Sequence, residues 1–439
     1  MYWISKGLHQ AIRTRRRILV LLAVLGPGLI TMVADNDAGG ISTYAVSGSL
    51  YGFNLLWMLF LLVPMAYYVQ EMTVRLGAVT KRGHAESVFN AFGPLWGWFS
   101  ILDLALINWL TLITEYIGMT VAMAIFGIPP WITFIGVTFL LTAVVVTGKY
   151  WTFEKITLLF CAFNLIYIPA AIWAMKTQTA PPWSAVMEGF TRVSVPGGLT
   201  PGLLFIVMAI IGTTITPWQI FFQQSMVVDK SLDVHDLSFG RMDTLVGSII
   251  TCLVAAFIII TTGAAFYYHH PPIVIQDAGQ TAEALAPLLP KSEGEWARIL
   301  FAVGLFDAGF LGALCISLSS SWAVGEIKGW AHSLNKSVKD APWFYAIYIL
   351  FLLSAGAVVL IPNAPLISIT MFVQVVAVTL LPADMIFLIL MLNDRDLMGE
   401  YVNTRRNNVI VWTIAVVVIV MSTIFALSGL FPHLFGGAS

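Results

Sequence analysis

The sequence predicts an all-α polytopic membrane protein that forms a single domain. Of its 439 residues, 59% are hydrophobic and only 10% are charged, and the mean hydropathy is +0.87. Soluble globular domains have roughly 45–50% apolar residues. The apolar residues also form eleven runs long enough to cross about 30 Å of hydrocarbon, and the basic residues fall mostly on one side of these runs. These three observations exclude an ordinary soluble domain.

The eleven predicted spans follow one another with short connections. Their approximate bounds are 17–47, 53–76, 95–126, 130–147, 152–175, 198–227, 241–268, 297–325, 342–361, 365–393 and 408–431. The two longest connections, 176–200 and 269–296, are rich in Pro and Gly. No long linker divides the chain, so we treat residues 1–439 as one domain.

The basic residues predict the orientation of these spans, because Lys and Arg are retained on the cytoplasmic side. With the N-terminus inside, 18 of the 22 basic residues fall in cytoplasmic segments. The four external ones are Lys176, Arg192, Lys291 and Arg298. We therefore expect a multi-pass protein of the cell membrane with a cytoplasmic N-terminus and an extracellular C-terminus. The basic stretch Arg13–Arg17 is expected to contact anionic lipid headgroups.

A polar stretch, ADNDAGG, interrupts the first predicted span. A carboxylate at the centre of a membrane helix costs several kcal/mol, and unwound backbone is tolerated there only where it lines a cavity or meets a ligand. Carbonyl groups freed beside a carboxylate form a cation site, so Asp37 is the central candidate ligand. Gly39 and Gly40 are expected to keep the site roomy. Asp35 is a further ligand or a cap, and Asn36 is expected to cap a half-helix.

A second break, GTTITPWQ, interrupts the sixth predicted span. Pro217 removes a backbone donor there, and the β-branched residues before it weaken helix propensity. Thr213, Thr216 and Gln219 offer side-chain oxygen, whereas Trp218 is apolar apart from its N–H. Oxygen ligands favour hard cations such as Mg²⁺, Ca²⁺ or Mn²⁺. Mg²⁺ keeps several of its waters and is held by only one or two carboxylates, which suits this set of residues.

The two breaks lie five spans apart. Two inverted repeats of five helices would give this spacing, with a binding site between the broken helices at the middle of the membrane. Pro-Gly-Leu also precedes each break, at 27–29 and 201–203. We therefore predict a first repeat at about 17–175, a second at about 198–393, and an additional helix at about 408–431.

Five segments of the chain resemble the Nramp divalent-metal transporters. In order, they are GPGLITMVADNDAGG, LLVPMAYYVQEMTVRLG, LTLITEYIG, IIGTTITPWQIFFQQS and VQVVAVTLLPADMIFLILMLNDRDLMG. The resemblance extends over nearly the whole chain. It implies a LeuT-type fold of two inverted five-helix repeats, in agreement with the spacing of the breaks. It also implies that Gln374, on the tenth span, approaches the bound ion.

The chain departs from the Nramp pattern at the positions that select the ion. Nramp transporters of Mn²⁺ and Fe²⁺ carry Asp-Pro-Gly-Asn where this chain has Asp37 to Gly40, so the ligand Asp is kept and the ligand Asn is lost. Their Met-Pro-His is here Thr216, Pro217 and Trp218. Their acidic proton-pathway residues align with apolar residues, and only Glu115 is left. This combination is similar to the Nramp-related magnesium transporters, which take the ion partly hydrated and without proton coupling.

The predicted function is uptake of Mg²⁺, and also of Mn²⁺, by alternating access without proton coupling. The predicted metal ligands are Asp37, Gly40, Thr213, Thr216 and Gln374. Candidates for the ion pathway or for outer contacts with the ion are Asp35, Asn36, Glu115, Trp218, Gln219 and Asp384. The divalent ion is a transported substrate, so no cofactor is expected. The only other expected partner of the monomeric protein is the lipid bilayer, and no nucleic acid is expected.

Three other functions stay open at this stage. Proton-coupled transport of Mn²⁺ or Fe²⁺ would need a proton path through Glu115 or Asp384. A Na⁺-dependent amino-acid carrier of the same fold would hold a substrate carboxylate at the breaks, where Asp37 would repel it unless Na⁺ intervened. A sensor or channel is the third. An enzyme is not expected, because no pair of nucleophile and base stands out. Asp307, like Asp384, lies in a predicted span, where function is the default expectation for a carboxylate.

Overall fold

The computed structural model describes residues 25–198, 200–276, 278–362 and 364–430. Eleven helical units in these ranges correspond to the eleven predicted spans, and we number them accordingly. They are Pro27–Val33 with Ala38–Tyr51, Trp57–Thr80, Pro94–Ala124, Pro130–Val146, Tyr150–Phe163 with Tyr167–Ala174, Pro201–Thr214 with Pro217–Asp229, Leu237–Thr262, Lys291–Lys328, Pro342–Gly356, Leu366–Asn393 and Arg405–Leu430. The basic stretch Arg13–Arg17 and the start of the first predicted span lie outside the described residues.

The connections contain shorter elements. The α-helices are His84–Phe92, Trp183–Thr191, Ala278–Leu285 and Arg395–Met398. The 3₁₀ turns are Asn164–Ile166, Ala286–Leu288, Ala357–Leu360 and Gly399–Tyr401, and Gly263–Tyr267 forms a π turn. The two longest connections therefore contain helical segments that their Pro and Gly content does not predict.

Eight units of the described chain are long and apolar enough to cross a membrane by themselves. The other three have identifiable reasons to fall short. The first span is divided by its break, the second carries the polar pair Gln70 and Glu71, and Pro130–Val146 has only 17 residues. All three pack among the eight, so the bundle as a whole is membrane-spanning.

Proline explains where the broken spans begin and resume. Pro27 and Pro201 stand in the first turn of their helices, where the missing N–H costs nothing and the fixed φ favours the helix. Pro217 does the same for the second half of the sixth span, after Ile215 and Thr216 have taken extended backbone conformations. The predicted breaks in the first and sixth spans are confirmed.

Polar contacts gather the connections at two ends of the bundle. At one end, the start of the first span meets the connections that follow the even-numbered spans. The bonds there are Lys230 Nζ to the Leu25 carbonyl (2.7 Å), Lys81 Nζ to the Leu232 carbonyl (2.6 Å), Arg75 Nη1 to the Tyr401 carbonyl (2.9 Å) and the Tyr150 N–H to Asn335 Oδ1 (3.2 Å). At the other end, Trp57 Nε1 donates to the Ser194 carbonyl and Lys176 pairs with Glu293. This sidedness is what alternating crossings require.

Candidate cation site

The two breaks face each other inside the bundle. The Tyr44 hydroxyl, after the first break, lies 2.9 Å from Thr214 Oγ1, before the second break. A methyl group placed on Gly40 would lie 2.6 Å from Thr213 Oγ1. The polar side chains of both breaks are fully buried, with an exposure of 0% for Asp37 and Thr213 alike. The first and sixth spans therefore bring their polar residues together in an enclosed position.

Asp37 is the N-cap of the second half of the first span. Its backbone is extended, and its Oδ1 accepts a hydrogen bond of 2.7 Å from the Gly40 N–H. A carboxylate at this position is stabilised by the free N–H groups and by the helix dipole. Its Oδ2 is buried and accepts no hydrogen bond from the residues that the structure describes. One oxygen is thus fixed by the cap, and the Asp37 carboxyl also approaches the Glu115 carboxyl.

Asn36 does not cap a half-helix, in contrast to the expectation. Its Nδ2 donates to the Thr251 carbonyl of the seventh span at 3.2 Å, and Thr251 Oγ1 donates back to the Met32 carbonyl. The cap role goes to Asp37 because the helix resumes at Ala38, directly after it. Asn36 instead fastens the break to the seventh span.

Six side chains around the breaks carry buried oxygen atoms without a hydrogen-bond partner in the described part of the chain. They are Asp35, Asn36, Asp37, Thr213, Thr216 and Gln374. Native proteins rarely leave buried polar atoms unpaired, and buried carboxylates are compensated by a partner charge or a metal. A divalent cation would offset the charges of Asp35 and Asp37 and would satisfy the hydroxyl and amide oxygens. The donor set therefore fits a hard cation.

Gly39 and Gly40 admit neighbouring side chains, which corrects the expectation that they keep the site roomy. A methyl group on Gly39 would lie 1.9 Å from Gln374 Nε2 and 3.2 Å from Thr114 Oγ1. The tenth span thus brings Gln374 against the backbone of the first break. Thr114 was missed in the sequence, although it stands directly before Glu115.

Glu115 meets the first break from the third span. Its Oε2 accepts a hydrogen bond of 3.0 Å from the Ala38 N–H, and its Oε1 accepts one from Thr114 Oγ1. A methyl group on Gly312 of the eighth span would lie 2.9 Å from Glu115 Oε2 and 3.0 Å from Asp37 Cβ. Glu115 therefore satisfies an N–H group at the start of the resumed helix, beside the candidate ligand.

Gln219 and Trp218 lie just beyond the second break. Gln219 Oε1 accepts hydrogen bonds from the Thr216 N–H at 3.0 Å and from Gln70 Nε2 at 3.4 Å. It therefore closes the start of the resumed helix and ties it to the second span. Trp218 is fully buried and contacts Phe222 edge to face, with ring centroids 5.9 Å apart.

Asp384 is separated from the breaks. It follows Gln374 by ten residues on the tenth span, which is about 15 Å along a helix. Its Oδ1 accepts a hydrogen bond of 3.1 Å from Ser100 Oγ of the third span. The structure therefore brings together the residues of the two breaks, Gln374 and Glu115, and leaves Asp384 elsewhere.

Comparisons with known proteins find similar sequences over most of the chain. Residues 28–428 match the family model described as natural resistance-associated macrophage protein-like, or Nramp. The divalent metal cation transporter MntH of Deinococcus radiodurans is 26% identical over 424 residues, which cover 93% of this chain and 90% of that protein. MntH of Staphylococcus saprophyticus is 27% identical over 432 residues, which cover 92% and 91%.

Solved structures are similar over almost the whole chain. A mutant of the manganese transporter of Eremococcus coleocola superposes with a TM-score of 0.78 at 20% identity, covering 95% of this chain and 89% of that one. MhsT in complex with L-phenylalanine superposes with a TM-score of 0.55 at 15% identity, covering 92% and 98%. These similarities concern the fold, and they confirm the predicted LeuT-type architecture.

Proposed function

This chain belongs to the Nramp family, whose members are transporters of divalent metal ions and not enzymes, and we propose that its principal substrate is Mg²⁺. In this proposal Mn²⁺ is also carried, and the chain belongs to the branch of Nramp-related magnesium transporters. The observation that carries the proposal is the group of buried, unpartnered oxygen atoms at the two breaks.

The proposed ligands have the chemistry that Mg²⁺ requires. Asp37 contributes its Oδ2, Thr213 and Thr216 contribute hydroxyls, and Gln374 contributes its amide oxygen. Gly40 acts through its N–H, which holds the Asp37 carboxylate in place. Mg²⁺ prefers oxygen ligands in octahedral geometry and retains waters. Because these side chains supply four oxygen atoms and octahedral coordination needs about six, retained waters would complete the shell of the ion.

Two substitutions relative to the Nramp pattern support a hard ion and uncoupled transport. Thr216 stands in place of the Met that supplies a soft sulfur ligand. Trp218 stands in place of the His that is associated with proton movement in that pattern. Thioether ligands select softer transition metals, whereas hydroxyl oxygens suit Mg²⁺. Of the acidic proton-pathway residues in the Nramp pattern, the third span keeps Glu115, which accepts a hydrogen bond from the Ala38 N–H.

We further propose that the N-terminus is cytoplasmic, that the C-terminus is extracellular, and that one chain of two inverted repeats is the functional unit in the cell membrane. The distribution of basic residues supports this orientation. An inside-negative potential would then drive uptake, at about 4.6 kcal/mol per 100 mV for a divalent ion. No proton gradient is needed for accumulation.

The proposal is tested by uptake into proteoliposomes that contain the purified full chain, an internal Mg²⁺ dye and an internal pH dye. We expect Mg²⁺ to accumulate under an inside-negative potential without acidification, and Mn²⁺ to compete with it. Protein-free vesicles are the control. Acidification during uptake would show proton coupling. Vesicles that take up Mn²⁺ but no Mg²⁺ would favour a manganese transporter, and competition by amino acids would favour an amino-acid carrier.

Thr216→Met is expected to shift selectivity from hard towards soft ions. The thioether would replace a hydroxyl ligand, so Cd²⁺ should bind about tenfold more tightly or better while Mg²⁺ uptake falls. Thr216→Leu, which has similar bulk and no sulfur, is the matched control. Isothermal titration with Cd²⁺ measures the difference. Equal Cd²⁺ affinities in the Met and Leu variants would contradict a ligand role for residue 216.

A further inference from the structure

A second group of buried polar side chains lies between the fifth and eighth spans. Asn164, in the 3₁₀ turn that interrupts the fifth span, donates from Nδ2 to Asp307 Oδ2 at 3.1 Å. A methyl group on Gly304 would lie 2.8 Å from the Tyr167 hydroxyl. Residues three apart share one face of a helix. The turn containing Asn164 and Tyr167 therefore faces the turn containing Gly304 and Asp307.

Three oxygen atoms of this group are left without a partner. Asp307 is 3% exposed, and Asn164 and Tyr167 are 0% exposed. Asp307 Oδ1, Asn164 Oδ1 and the Tyr167 hydroxyl have no hydrogen-bond partner among the described residues. Asp307 takes part in none of the ion pairs found among the described residues. Among the residues that the structure describes, the carboxylate therefore has no counter-charge from a side chain.

Aromatic rings pack on the same two spans near this group. Tyr167 contacts Phe301 edge to face at 5.3 Å, and Phe160 stacks on Phe310 at 4.8 Å between ring centroids. These contacts keep the surroundings apolar. An uncompensated carboxylate in such a position is costly, and buried charges are normally paired or bound to a metal.

The group is distinct from the candidate divalent site. The eighth span presents Gly312 to Asp37, because a methyl group there would lie 3.0 Å from Asp37 Cβ. Asp307 precedes Gly312 by five residues, so the two positions are roughly 140° apart around the helix. Asp307 therefore lies on another face of the eighth span and contacts the fifth span, which supplies none of the divalent ligands.

We propose that this group binds one monovalent alkali cation, Na⁺ or K⁺. A single carboxylate supplies one negative charge, which a monovalent cation neutralises, whereas a divalent ion would leave a net positive charge in apolar surroundings. Carboxylate, amide and phenol oxygens are hard donors. The site does not depend on the identity of the divalent substrate.

Equilibrium binding of radioactive Na⁺ and Rb⁺, the latter as a probe for K⁺, tests the proposal on the purified full chain. We expect one ion per chain for at least one isotope, displaced by the unlabelled ion. Asp307→Asn should weaken this binding about tenfold or more. Asp384→Asn, which removes another buried carboxylate, should leave it unchanged. Asp37→Asn should also keep it while losing divalent binding, so the failures of the two proposals are distinguishable.

The proposal is overturned if well-folded wild type binds neither isotope saturably, or if Asp307→Asn binds them equally well. The first result would mean that this group holds no alkali cation, and the second would mean that the cation binds elsewhere. Size-exclusion elution and thermal melting establish that each variant is folded. If Asp307→Asn does not fold, Tyr167→Phe serves in its place, because it removes one oxygen and keeps the ring, and unchanged ion affinity in that variant overturns the proposal.

Discussion

Asp37→Asn is expected to abolish transport of divalent metal ions. The variant keeps the oxygen that accepts the Gly40 N–H, so the helix cap and the break are preserved. It replaces the unpartnered Oδ2 by an NH₂ group, which cannot bind a cation, and it removes one of the two negative charges at the break. Breaking a buried charge pair costs about 3–5 kcal/mol. We therefore expect uptake to fall by about 100-fold or more.

Proteoliposome uptake of Mg²⁺ and Mn²⁺ and calorimetric binding of both ions measure this effect. Asp384→Asn is the matched control, since it removes one buried carboxylate about 15 Å along the tenth span from Gln374. The same measurements on Asp35→Asn, compared with Asp37→Asn, show how much each carboxylate of the break contributes to binding the ion. Transport at the wild-type rate by a folded Asp37→Asn variant would contradict the assignment of the site.

Much of the fold follows from the sequence because a membrane allows few backbone solutions. Regular helix must fill the hydrocarbon, so a polar stretch with Asp35 and Asp37 predicts a break, and Pro217 predicts a second one. The spacing of these breaks predicts two inverted repeats, and the resemblance to the Nramp transporters implies the LeuT-type fold, which the comparisons confirm. These signals are local or periodic, and a single sequence contains them.

The contacts within the site could be predicted only in part, because they depend on neighbours far along the chain. Gln374 came from the resemblance and from no local pattern, since a lone Gln in an apolar span has no visible partner. The sequence predicts the helix cap at Asn36 instead of its neighbour Asp37, because a sequence pattern fixes the residue at which a helix resumes only to within about one or two positions. Gly39 predicts a roomy site, because the approach of Gln374 is a property of tertiary packing that the local sequence does not show.

The start of the first span is held by a carboxylate that no sequence pattern singles out. Asp243 of the seventh span is buried, and its Oδ2 accepts the N–H groups of Gly28 at 2.7 Å and Gly26 at 3.2 Å. Its Oδ1 accepts the Leu29 N–H at 3.2 Å. The first N–H groups of a helix have no partner within it, and a negative charge there is stabilising. Beside it, Lys230 Nζ bonds to the Leu25 carbonyl at 2.7 Å.

Asp243→Asn is expected to release the first half of this span. The amide offers one acceptor and turns an NH₂ donor towards N–H groups. A hydrogen bond to a charged group contributes about 1.5–3 kcal/mol, so a loss of about 3 kcal/mol should make local opening roughly 100-fold more frequent. Hydrogen–deuterium exchange should accelerate in peptides that cover Pro27–Val33. The exposed Asp396→Asn is the control and should exchange like wild type.

The second half of the span provides the internal comparison. Ala38–Tyr51 is fixed by contacts that do not include Asp243, through Glu115 at the Ala38 N–H and through the Tyr44 hydroxyl at Thr214. Its exchange should therefore stay at the wild-type rate. Equal acceleration in both halves would mean general destabilisation and would contradict a local role of Asp243 at the first half. Unchanged exchange in the first half would contradict that role as well. The break at Asp37 separates the two halves. Selective release of the first half would therefore show that it can open while the second half stays in place.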